Sequence, residues 1–180
     1  MYQFDIRLTD KDYLDYNIFW GIKSPYGSKQ ILKLRVLLTV VFAIIALLSL
    51  SGGGFGAEAF LSIIPAGIVF VIAQLIFVPV FKWVLRGQLN SLKAKGKMGY
   101  SPISTIEFGV ERFVETTPEN KTEQAYTAIE RISILKGKVI YIHVNSVMAY
   151  IVPFSVFDTK EQETAFLTFL GTKCAVVDLY

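Results

Sequence analysis

Charge is missing from the middle of this chain. Between Val36 and Phe81 the only formally charged side chain is Glu58, although acids and bases crowd both flanks. Histidine and cysteine are nearly absent too, with one of each, His143 and Cys174, in 180 residues. A single cysteine excludes an intramolecular disulfide framework and a thiolate-rich metal centre. A single histidine leaves almost nothing for histidine-dependent metal or triad chemistry. No catalytic residue, metal or cofactor is therefore assigned, and the chain reads as non-enzymatic. The net charge of +3 does not point to nucleic acid, because the basic residues bracket the apolar block instead of clustering with aromatics on a polar surface.

What is present is apolar surface: 53% of the residues are hydrophobic and only 18% charged. The excess falls into two runs, "ILKLRVLLTVVFAIIALLSL" (31–50) and a second from Ala59 to about residue 85. About 20 residues at about 1.5 Å each reach across the roughly 30 Å of a bilayer core. With only "SGGGFGAE" between them, the runs predict an antiparallel transmembrane hairpin over 31–87 with a flexible glycine turn. Lys33 and Arg35 are expected to snorkel toward the headgroups. Lys23, Lys29, Lys33 and Arg35 precede the hairpin, Lys82, Arg86, Lys93, Lys95 and Lys97 follow it, and the loop has no base. The positive-inside rule then places both termini in the cytoplasm.

Residues 1–30 read as a cytoplasmic strand and helix. "MYQFDIRL" alternates apolar and polar with the period of a half-buried strand. Thr9 or Asp10 then caps a helix, with Leu14 and Ile18 on one face and Tyr13, Tyr16, Phe19 and Trp20 around them. Those rings suit either the membrane interface or a soluble core. "KSPYGSK" is expected to break the helix. Residues 88–102 are a basic linker that carries the second helix a little further, until Gly96 and Gly99 end it.

From residue 103 to 180 the period changes to two. "ISTIEF", "ERFVETT", "EQAYTAIERISIL", "KVIYIHV" and "VMAYIVP" predict about five short strands, the last two a hairpin through Asn145-Ser146. Pro153 stops the ladder, and Asp158-Thr159 opens an amphipathic helix with Glu161 or Gln162 at the capping-box position. Its apolar face is Ala165, Phe166, Phe169 and Leu170, and Gly171 ends it. The fold class is thus an α+β membrane protein: a two-helix hairpin plus a small antiparallel sheet or barrel capped by a C-terminal helix. The strand Tyr2 to Leu8 needs a partner and is predicted to join or abut that sheet.

The order of "RLTDKDYLDYNIFW", two spans, "IEFGVERFVETT", "TAIERI", "VIYIHVN", "AYIVPFSVF" and "KEQETAFLTFL" resembles the YcxB-like family of bacterial membrane proteins. The likeness covers nearly the whole chain and departs at Ala128, near where the family often has tryptophan. It implies a bacterial inner-membrane location and a soluble domain similar in layout to bacterial pleckstrin-homology-like (PH-like) domains. It implies no activity.

The glycine run is read as a turn, since a phosphate-binding loop needs a preceding strand and a basic residue. Glu107, Glu111 and Glu115 alternate along strands and suggest a solvated face. His143 reads as a strand-end or sheet-face residue and Cys174 as a small apolar filler. Trp20, Lys82, Trp83, Arg86 and Lys93 are the candidate lipid contacts, and Gln74 the candidate interhelical contact. The function expected is a membrane-anchored protein presenting a PH-like binding or scaffolding module. The alternative is an oligomeric pore or transport-associated subunit. Expected partners are membrane lipids, a second copy or another membrane protein, and not nucleic acid.

Overall fold

The computed structural model describes residues 1–53, 57–96, 99–145 and 148–180. The chain divides into two compact units, Met1–Tyr16 with Met98–Tyr180, and Asn17–Lys97.

The first unit begins with β1 (Tyr2–Arg7), whose alternation buries Phe4 and Ile6 and leaves Gln3, Asp5 and Arg7 exposed. It pairs antiparallel with β2 (Ile103–Phe108), Phe4 opposite Ile106, so the two ends of the chain build one sheet as the pattern predicts. β3 (Arg112–Thr116) and β4 (Lys121–Ala125) complete it in the order β1-β2-β3-β4. The second sheet holds β5 (Arg131–Leu135), β6 (Val139–His143) and β7 (Ala149–Pro153), with β8 (Val177–Leu179) parallel to β5 at its edge.

Two four-stranded sheets therefore replace the single sheet of about five strands, and the run from Glu123 to Leu135 is two strands. A single turn at Tyr126–Ala128 divides it, pinned where the Tyr126 hydroxyl donates to the Gly109 carbonyl (2.9 Å). β6 and β7 pair as expected, His143 opposite Ala149, and the Asn145 side chain accepts from the Met148 amide. Ser146 lies outside the described residues.

Between the sheets Ile106, Phe108, Phe113, Ile132, Ile140, Ile142 and Val152 form one core. α4 (Lys160–Lys173) closes it. Its N-cap is Thr159, whose hydroxyl accepts from the Gln162 amide, while the Gln162 side chain accepts from the Asp158 amide: a capping box displaced by one residue. Phe166 is fully buried, with ring centroids 4.8 Å from Phe4 and 4.9 Å from Phe108, both edge-on. Leu170 is buried and Phe169 half-buried, but Ala165 is exposed. Gly171 does not end the helix, which runs on to Lys173.

α1 (Asp10–Ile22) starts at Thr9, whose hydroxyl and amide both donate to the Asp12 carboxylate. Tyr16, Phe19 and Gly21 are its buried residues, while Leu14 and Ile18 are half-buried. The break after it is shorter than expected, because Ser24 caps α2 (Pro25–Gly53), accepting from the Gly27 amide (3.0 Å), with Pro25 at the first helical position. α2 runs through Ser51–Gly53, so part of the supposed glycine turn is helical, and Gly54, Phe55 and Gly56 lie outside the described residues. α3 (Ala57–Ala94) stays helical through Pro65 and Pro79 and through half of the supposed linker. Gly96, at φ 63°, follows its end, as that residue type permits.

Candidate functional site

Among the described residues, three places hold polar groups where apolar ones are the rule. The first is the outer face of the second sheet. Strand alternation puts Ile132, Ile134, Ile140 and Ile142 into the core, so Arg131, Ser133, Tyr141 and His143 point the other way, with Asp178 beside Ser133 on β8. Arg131 and Asp178 form an ion pair. Tyr16 of α1 covers this face, its ring 5.2 Å from Tyr141 and 6.3 Å from His143. His143 is 6% exposed, and its Nε2 has no hydrogen-bond partner; nor has the buried Ser133 hydroxyl. Burial, then the charge of Arg131, pushes the His143 imidazole down to about 4 against an opposing pull from Asp178. The same burial lifts the Tyr16 phenol to about 12. The chain's one histidine is therefore a buried, neutral residue of this face.

The second place corrects a reading of the acids. Glu107 faces outward opposite Gln3, but Glu115 sits opposite Ile106 and two residues from Phe113, on the inner face. Burial raises its pKa, and a hydrogen bond with the Ser104 side chain partly offsets this. Nearby, Tyr150 hydrogen-bonds to the Gln124 side chain. This is a satisfied polar corner of the core, and not a solvated face. Cys174 is buried with its thiol against the Ile129 and Val176 carbonyls, the filler role expected of it.

The third place is the seam between α2 and α3. Phe42 stacks on Phe70 (4.6 Å, 18°) and Arg35 lies over Phe77 (5.4 Å), which fixes the register of two antiparallel helices. Ile31, Arg35, Leu38, Phe42 and Ala46 are the half-buried residues of α2 at that spacing. Both helices are long and apolar enough to cross a membrane. Arg35 lies about 27 Å along α2 from Gly53, at about 1.5 Å per residue, and Phe77 about 30 Å along α3 from Ala57.

This register gathers most of the predicted contacts at one end of the pair. Gly21 of α1 meets the Phe81 ring, and a Cβ on Gly27 would lie 2.1 Å from the Trp20 carbonyl, so Trp20, Lys82 and Trp83 share a level. Trp20 is half-buried, Trp83 is 74% exposed, and Lys82 and Arg86 are exposed. Lys93 stands two turns beyond Arg86 along α3, and Gln74 is a half-buried residue of α3. The residue that sequence reasoning did not assign to the site is Arg35. Its signal was the heptad-like spacing with Ile31, Leu38 and Phe42, obscured by treating it as a snorkelling end residue.

None of the curated proteins and none of the solved structures matches this chain. A family does: residues 108–170, from the end of β2 through most of α4, match the family model described as YcxB-like protein.

Proposed function

We propose that the chain is a non-enzymatic membrane protein whose helical hairpin anchors a PH-like binding module at the cytoplasmic face of a bacterial inner membrane. The observation that carries this is the length of the hairpin, in which Glu58 is the only charged residue between Val36 and Phe81. From Arg35 to Gly53 and from Ala57 to Phe77 the helices measure about 27 and about 30 Å, one hydrocarbon core, with bases at the open end. Support for the non-enzymatic reading comes from the burial of His143 under Tyr16 and of Cys174 in the core. Support for a module comes from its own two-sheet core closed by α4, which also fits a PH-like layout.

The surface offered to a partner is the outer face of the first sheet. Asp5, Thr105, Glu107, Arg112, Lys121 and Glu123 form its polar mosaic, and β4 is its outer strand. An edge of this kind accepts an added strand from a partner. A photo-crosslinking residue at Thr105 or Glu123 in cells should then capture a stoichiometric second polypeptide from the membrane fraction. Uniform background from both positions, with ion flux through the purified protein in liposomes, would replace this reading with a pore.

A further inference from the structure

Arg35 occupies a position that an apolar residue would fill better. It sits on the α2 seam between Ile31 and Leu38, half-buried, with its guanidinium 5.4 Å over the Phe77 ring. The ring lies under the guanidinium carbon, and the edge of the fork carries the N–H donors. One of them, Nε–H, is buried with no hydrogen-bond partner. A buried charged donor is costly to leave unmet. The chain cannot easily meet it: from residue 25 to 96 its only acid is Glu58, in the first turn of α3 at the far end of the pair. With no acid of these two helices near it, an acceptor for the other N–H donors of the fork would come from outside.

The depth of the site says what kind of acceptor. On the membrane-anchored reading, from which this inference starts, about 27 Å from the turn is where hydrocarbon gives way to phosphate. Lys33 is two residues from Arg35 and Lys82 five residues beyond Phe77, so more positive charge lies within about two turns of the site. We propose that Arg35 is the phosphate-binding residue of an anionic phospholipid site, with Phe77 as its floor and Lys33 and Lys82 as flanking charges. Arginine suits this task and lysine does not, because its planar fork donates two parallel hydrogen bonds to one phosphate while its face stays on the ring.

The test is native mass spectrometry of the full chain released from nanodiscs of equimolar phosphatidylcholine and phosphatidylglycerol. Wild type should retain phosphatidylglycerol in preference. Arg35→Gln should lower that retention by about tenfold, the affinity carried by one charge-assisted hydrogen bond. Arg35→Lys should fall well short of wild type, and Lys136→Gln, in the β5–β6 turn, should match it. Millimolar inorganic phosphate should not displace the lipid. Full retention by Arg35→Lys would mean charge alone acts, displacement by inorganic phosphate would mean a free-anion site, and either overturns the proposal. Carbonate extraction of wild type separates the two levels. Release from the membrane removes the anchored reading itself, whereas retention with an indifferent Arg35→Gln removes only the lipid site. Unchanged helicity of Arg35→Lys by circular dichroism shows that the loss is not unfolding.

Discussion

At the scale of single residues, buried polar groups decide the pH response. His143 is neutral in the folded chain, with its pKa pushed down from 6.5 to about 4, so the unfolded chain binds a proton first as pH falls. Its contribution is present above about pH 6.5 and is lost progressively toward pH 4, a difference of about 3 kcal/mol at most. Glu115 acts in the opposite sense, since its raised pKa favours the fold on acidification and that benefit fades as pH rises through the folded value. The drop in thermal midpoint between pH 7 and pH 5 should therefore shrink in His143→Gln, while an unchanged drop would show that another group carries it. Packing gives a second test: Phe166→Ala, at the hub of the ring cluster, should cost about 3–5 kcal/mol by denaturant titration. Two glycines of the helix pair should diverge in sign. Gly27→Ala forces a Cβ into the Trp20 carbonyl and should cost about 1–3 kcal/mol, whereas Gly87→Ala meets open space within α3 and should gain up to about 1 kcal/mol. Equal thermal midpoints in detergent would refute that contrast.

At the scale of elements, legibility followed periodicity. β1 and β2 were readable because six alternating residues each bury one face, and the two apolar helices because length and hydropathy agree. β8 was not, since three residues have no period and its parallel partner β5 lies far back in sequence. The division of β4 from β5 was hidden for another reason: Tyr126, Ala128 and Ile129 look β-prone, and only the hydrogen bond from Tyr126 to Gly109 shows the chain turning there. The start of α2 was written as Ser24-Pro25, a cap followed by a first-turn proline, but the flanking lysines and glycine disguised it as a loop. The inward turn of Glu115 could not be read at all, because alternation gives two faces without saying which is wet. β1 is the element with the most to lose. Deleting residues 1–8 removes Phe4 and Ile6 from the core and uncovers Ile106 and Phe166, so limited proteolysis should cut the C-terminal part at much lower protease concentration. Unchanged resistance would mean that β1 is an ornament of the sheet.

At the scale of the whole molecule, the proposed anchoring requires that the hairpin cross a bilayer with both open ends on one side. The two long apolar helices were legible through the single charge between Val36 and Phe81; the sequence did not show that Arg35 turns into the seam, which depends on which face α3 offers. The most direct measurement is cysteine accessibility in intact cells, using Cys174→Ser as the background. Ser28→Cys and Ser101→Cys should react with a membrane-impermeant maleimide only after permeabilisation, while Gly52→Cys should react before it. Labelling of Gly52→Cys only after permeabilisation, together with the other two, would contradict the hairpin crossing and the anchored module with it.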